Sequence, residues 1–276
     1  GNNEITSITL SGSVTFIGMG AFGSNLTSIT LPNTTPPTLD GGVLDGMADR
    51  VYLCVPIDAM AIYKQADGWK GLEIWEAGRS VPAPFSAVNE QGTTICYRPT
   101  WGNTCKVIPV YGDVAAYTGD ITIPATVEND GTTYTVTKIG AEAFAKSGIT
   151  SIALGDNVTT IAEYAFSECK GLTTVTNTDA VTTIGNSSFQ WSALKEVRFP
   201  ALEFIDKYGF YYCNSLESVE WGSNLTSIEL AAFTGCKNMR SITSLCTTPP
   251  ALAERGVFTV VPLNSVNLSV PATAAA

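Results

Sequence analysis

The chain repeats itself, and the period of that repeat constrains its fold more than any other feature. The segment Ile161-Ala-Glu-Tyr-Ala-Phe166 has loose relatives at Ile17 to Phe22, Ile139 to Phe144, Ile184 to Phe189, Ile205 to Phe210 and Ile228 to Phe233. From Ile139 onward, successive copies lie 22, 23, 21 and 23 residues apart. Each is followed by a second apolar piece, such as Leu172-Thr-Thr-Val175, Leu194-Lys-Glu-Val197 or Leu216-Glu-Ser-Val219. Each is preceded by a third, such as Val158-Thr-Thr-Ile161 or Leu225-Thr-Ser-Ile228. One unit therefore reads L-x-x-I/V-x-L/F/W, a turn, V/L-T-x-I-x-x-x-A/G/S-F, and a second turn. A unit of roughly 20–29 residues cannot close a core alone, whereas stacked copies can, because each Leu, Ile and Phe lands on its counterpart one coil away. The alternation in L-x-x-I/V-x-L/F/W is that of a strand with one face inward, which sends the Ala-Phe pair to the opposite wall. The pattern predicts a solenoid, mainly β with short helical turns on the Ala-Phe side.

Composition narrows the chemistry. Of 276 residues, 45% are hydrophobic and 14% charged, which is a globular balance. The net charge is −10 and the basic residues are scattered, so no positive face is available to displace counterions from a nucleic acid. The sequence contains no histidine, which removes Ser-His-Asp and Cys-His catalysis and His-ligated zinc from this chain. Glu142, Glu163 and Asp206 fall inside the Ile-to-Phe segments at unequal offsets, so they do not stack into a glycosidase-like pair. Glu128-Asn-Asp-Gly131 has a turn signal but lacks the ligand spacing of a calcium loop. Gly41-Gly42 has no Lys-Ser/Thr after it and is no phosphate loop. We therefore expect no enzyme, no metal and no cofactor. With no apolar run of about 18 residues, no membrane span is expected in this chain.

Three of the seven cysteines, Cys169, Cys213 and Cys236, stand three residues after the repeat Phe, where Ser192 stands in another copy. They read as small buried residues aligned along the solenoid. Cys96 and Cys105 differ, because they flank a predicted hairpin turn over Tyr97 to Thr104. They could form a cross-strand disulfide if the register suits, or remain two free thiols.

The I-G-x-x-A-F and L-T-S-I pieces resemble the BspA-like leucine-rich repeat of bacterial surface proteins, over nearly the whole chain. Val55-Pro56 with Ile62-Tyr-Lys-Gln-Ala-Asp-Gly-Trp-Lys70 resembles that family's C-terminal cap, and residues 95–138 resemble its lead-in strands. Exposed solenoid ends need such elements. The implied fold is a horseshoe-like leucine-rich-repeat solenoid. The implied organisation is the end of a first array with its cap (1–79), a lead-in to a second array (80–138), repeats (139–246) and an incomplete cap (247–276). Leu268-Ser-Val-Pro271 matches Leu53-Cys-Val-Pro56, which suggests that the second cap is cut short. The resemblance further implies a non-catalytic protein that is extracellular or on the cell surface, associated with an outer membrane. Its role would be adhesion or protein–protein interaction with host or neighbouring cells; the alternative is a module that captures glycans.

Two surfaces are candidates for that role. Residues flanking the central Ile or Val of each strand point outward: Ser151, Thr174, Thr176, Glu196, Arg198, Ser218 and Glu220 form a polar ladder, either a binding face or a merely solvated one. Trp191, Tyr211 and Tyr212 fall at or near turns and could stack on a sugar or a partner.

Overall fold

The computed structural model describes residues 4–23, 25–44, 47, 51–69, 71–110, 117–253 and 256–274. Lys70, the last residue of the cap-like motif, and residues 275–276, the last two of the cap-like tail, lie outside them. The chain divides into two units, residues 1–83 with 99–102, and residues 84–98 with 103–276.

In the first unit the strands Ser7–Thr9, Ser28–Thr30, Tyr52–Val55 and Glu73–Glu76 form one parallel sheet in that order. The register sets Ile8, Ile29, Leu53 and Ile74 in one row. The short helix Met60–Tyr63 follows the third strand. Tyr63 and Trp69 are fully buried and meet edge to face at 5.6 Å, and the Trp69 indole donates to the Pro37 carbonyl at 2.8 Å. The segment read as a cap thus places two large aromatics in the buried cluster of this unit, the Trp69 indole with its polar handle satisfied.

The second unit is a coil with three walls, each produced by one piece of the repeat. The L-x-x-I/V-x-L/F/W pieces build parallel strands whose central residues, Ile152, Val175, Val197, Val219 and Ile242, are buried. The T-x-I pieces build two-residue strands ending in Ile161, Ile184, Ile205 and Ile228, which pair in parallel along a ten-stranded sheet that also contains the longer lead-in strands. The threonine of T-x-I has a specific task. Thr182 donates its hydroxyl to the carbonyl of Thr159 at 3.3 Å, and Thr226 to that of Glu203 at 2.8 Å. Thr27 and Thr38 do the same in the first unit. Each such bond spans one coil, so the threonine side chain reinforces the period.

The third wall carries the Ala-Phe pieces. Phe144, Phe166, Phe189, Phe210, Phe233 and Phe258 stack with ring centroids 5.1–5.4 Å apart and planes within 4–9° of parallel. Near-parallel rings at that separation are offset-stacked, the arrangement their quadrupoles favour, worth about 0.5–1.5 kcal/mol per pair beyond burial. Three residues on, Ser147, Cys169, Ser192, Cys213 and Cys236 form a second buried row. The thiols of Cys169, Cys213 and Cys236 donate to the carbonyls of Phe144, Phe189 and Phe210 in the preceding coil. The aligned small residues read from the sequence are therefore hydrogen-bonded rungs.

The short helical turns of this wall never propagate into a helix. Within a coil, Ala143, Ala145 and Ser147 donate to Gly140, Glu142 and Phe144, three residues back in each case. The N–H groups of Glu142, Phe144 and Lys146 turn instead to the carbonyls of Glu163, Ala165 and Ser167 in the next coil. Backbone bonding is thus shared between the turn and its neighbour, which satisfies the polar groups while the chain reverses.

Candidate functional site

The strand face is built by register. One outward column runs Asp120, Ser151, Thr174 and a second Glu196, Ser218, Ser241; beside them run Thr122, Ala153, Thr176 and Arg198, Glu220, Thr243. All seven sequence candidates are on this face: Thr174, Thr176, Glu196 and Arg198 are exposed, and Ser151, Ser218 and Glu220 half-exposed. Arg198 lies between two carboxylates, with Nε 3.0 Å from Glu220 and an NH1 contact of 3.2 Å to Asp179. Exposed pairs of this kind contribute little to stability, but they fix where a guanidinium points. At the other end, Asp120 accepts from the hydroxyls of Ser151 at 2.6 Å and Thr150 at 2.7 Å, and these bonds hold its carboxyl below the usual range. Asp120 and Asp179 were not among the sequence candidates. Asp120 was legible, since Ile121 is in phase with Ile152, but it lies in the lead-in rather than in a repeat.

The face is interrupted once. Among the described residues, the strands Thr118–Thr122, Gly148–Ala153 and Thr174–Thr176 form one sheet, and Glu196–Phe199, Ser218–Trp221, Ser241–Ser244 and Asn267–Ser269 another. A departure from the pattern sits at the break: where other copies have Leu154, Phe199 or Trp221, this one has Asn177, exposed and in the left-handed region at φ 57°. Asn177 donates to the Leu154 carbonyl at 2.6 Å and to Asp156 at 2.7 Å, while the Thr178 hydroxyl donates to the Arg198 carbonyl. Side chains bridge the coils there, in place of a strand ladder.

The turn wall carries the aromatic candidates, in an unusual backbone setting. The residue two after each repeat Phe has positive φ: Lys146, Glu168, Trp191, Tyr212, Gly235 and Val260, at 54–83°. So does the residue three after each repeat Ile, including Glu142, Tyr164 and Tyr208. The coil demands this conformation whatever residue occupies it. For an L-residue it costs roughly 1–2 kcal/mol relative to glycine, and a bulky aromatic there is uncommon. Trp191 is 43% and Tyr164 37% exposed, while Tyr211 and Tyr212 are half-buried, in edge contact at 4.6 Å. The Tyr212 ring lies over Gly235, where an added Cβ would come within 2.9 Å of it.

The N-terminal part of this wall borders a cavity of about 340 Å³, lined among others by Tyr117, Glu142, Lys146, Tyr164, Glu168 and Gln190. Lys146 and Glu168 form an ion pair across it at 3.6 Å.

Cys96 and Cys105 are both free thiols, the second of the alternatives left by the sequence. The hairpin is tighter than expected: its strands run to Thr100 and from Thr104, so Cys96 lies four residues from the tip end of its strand and Cys105 one. That stagger keeps the two from being opposite. Cys105 is buried, and desolvation pushes its thiol up to about 12. Among the described residues no three His, Cys, Asp or Glu side chains are grouped to hold a metal ion, and no helix is long and apolar enough to cross a membrane. What the array offers a partner is its repeated surfaces.

Comparison with known proteins agrees with this geometry. The family model for the BspA-type leucine-rich repeat region matches six copies, over residues 1–39 and 137–249. Of solved structures, the pneumococcal vaccine antigen PcpA aligns with a TM-score of 0.55 at 20% identity, over 69% of this chain and 51% of that one. A leucine-rich repeat protein from Bacteroides ovatus aligns at 0.41 and 22% identity, over 63% and 54%. The leucine-rich repeat protein of T. pallidum aligns at 0.42 and 19%, over 63% and 86%. The chain thus spans about half the length of the first two. No curated protein matches the chain significantly.

Proposed function

We propose, for a chain that belongs to the BspA-type leucine-rich repeat family, that it works outside the cell or on its surface as an adhesion module that grips other proteins with its strand face. One observation carries the reading: the outward columns are held in register over successive coils, with Arg198 fixed between Asp179 and Glu220. A row of short polar side chains around one oriented guanidinium suits recognition of a protein surface, where arginine anchors contribute most of the affinity and short polar neighbours fill in the complementarity. The organisation read from the sequence, an array end with its cap followed by a second array, belongs to the same proposal: tandem arrays would present more than one such face.

The test is a panel of immobilised extracellular-matrix proteins probed with the chain and with Arg198→Glu and Glu196→Lys. Saturable binding to a protein, weakened at least tenfold by Arg198→Glu, supports the strand-face reading. Absence of protein binding, or binding indifferent to both substitutions, refutes it.

A further inference from the structure

The turn wall has features that the strand-face reading leaves unused. In the column two residues after the repeat Phe, Lys146 and Glu168 line the cavity, and Trp191 and Tyr212 continue the column on the next two coils. In the column three residues after the repeat Ile, Glu142 and Tyr164 line it as well. Gln190, the neighbour of Trp191, is also part of the lining. A hollow of mixed polar and apolar lining and a row of aromatic side chains therefore share one wall.

The aromatics are there against a backbone preference. Every coil requires left-handed φ at these positions, and Gly235 shows that glycine fits. Trp191 nevertheless holds an indole 43% exposed on that backbone. Strain kept at a surface is a pointer to a binding role.

The chemistry selects the ligand. Aromatic side chains on adjacent coils, with coils spaced as the 5.1–5.3 Å Phe stack sets them, match flat, stiff, repeating rings with apolar C–H faces. Glu142 and Gln190 offer carboxylate and amide groups for vicinal hydroxyls. The Lys146–Glu168 pair neutralises itself, so the hollow has no surplus positive charge for a polyanion.

We propose that this wall is a second site, independent of the strand face, that takes an uncharged polysaccharide. A terminal sugar sits in the hollow beside Tyr164 and Gln190, and the following rings stack on Trp191 and Tyr212.

Affinity electrophoresis of the chain in gels containing soluble starch, mannan, xylan or laminarin tests it, with hyaluronan as the charged control. At least one neutral polysaccharide should retard the chain. Trp191→Asn, which suits left-handed backbone but lacks the ring, should weaken that binding at least tenfold. Trp191→Phe should keep it within a few-fold, and Arg198→Glu on the strand face should leave it unchanged. A folding defect would not produce that split between Asn and Phe. Retardation by none of the four, by hyaluronan alone, or to the same extent in the Asn and Phe variants overturns the proposal.

Discussion

The strands Tyr52–Val55 and Asn267–Ser269 come from nearly the same words, Leu53-Cys-Val-Pro56 and Leu268-Ser-Val-Pro271, and meet opposite fates. Each pairs in parallel with the strand of the preceding coil, Leu53 opposite Ile29 and Leu268 opposite Ile242. In the first unit a further strand adds Ile74 on the other side of Leu53, and Tyr63 and Trp69 are buried in the same cluster. Leu53 and Val55 are wholly buried there, whereas Leu268 is 66% and Val270 38% exposed. Leu252 and Leu263 are exposed in the same unit. In a solenoid, burial is conferred by the next layer, and an apolar strand pattern by itself does not say which residues are core.

The strongest way to break this comparison is to remove a large side chain from the buried cluster that holds Leu53. Trp69→Ala deletes a fully buried indole and its bond to Pro37, and should cost about 3–5 kcal/mol. Denaturant unfolding should show the transition of the first unit moved and that of the second in place. Equal movement of both would mean that the cap serves more than its own unit. The matched pair is next. Leu53→Ala should cost about 2–5 kcal/mol, and Leu268→Ala less than about 0.5 kcal/mol, in the same denaturant titration. Similar losses at the two sites would show that the outer strand is covered in solution.

The period, the inward residues and the row of small residues after each Phe were all legible in the sequence, because one physical rule fixes them: identical positions stack. What stayed hidden depends on backbone conformation or on single departures from the pattern. Nothing in Trp191 or Tyr212 announces positive φ, since these residue types usually avoid it; only the demand of the coil places them there. The break after Thr176 coincides with Asn177, a polar residue where Leu154 and Phe199 stand, but Val175 keeps the phase through it, so the pattern alone shows no interruption. Cys96 and Cys105 had the right residue types around a turn, and the register, which sequence does not supply, separated them.

The buried thiol row extends the comparison to pH. Burial raises the thiol of Cys213 from an ordinary 9.0 to about 12, and its bond to Ser192 only partly offsets this. The folded state therefore keeps a proton that the unfolded state releases. Its contribution to stability is complete below pH 9 and is lost as pH rises from 9 toward 12, the loss amounting to about 1.4 kcal/mol by pH 10. Cys213→Ser removes this site's share, so its stability should fall less between pH 8 and pH 10 than that of the parent chain. Identical losses would show that the thiol titrates normally in the folded protein.

The smallest effect concerns a third kind of strand edge, neither stacked like that of Leu53 nor open like that of Leu268. At Asn177 the sheet stops inside the array, and the side chain itself reaches the preceding coil through its bonds to the Leu154 carbonyl and Asp156. Asn177→Gly retains the left-handed backbone and deletes only those bonds, so its expected cost is about 1 kcal/mol in a urea titration. Asn177→Ala deletes the same bonds and adds the strain of a Cβ at φ 57°, and should cost measurably more. If the two variants are equally stable, the left-handed turn is not what ends the strand. If neither is destabilised, the bridge contributes nothing to holding the two coils together.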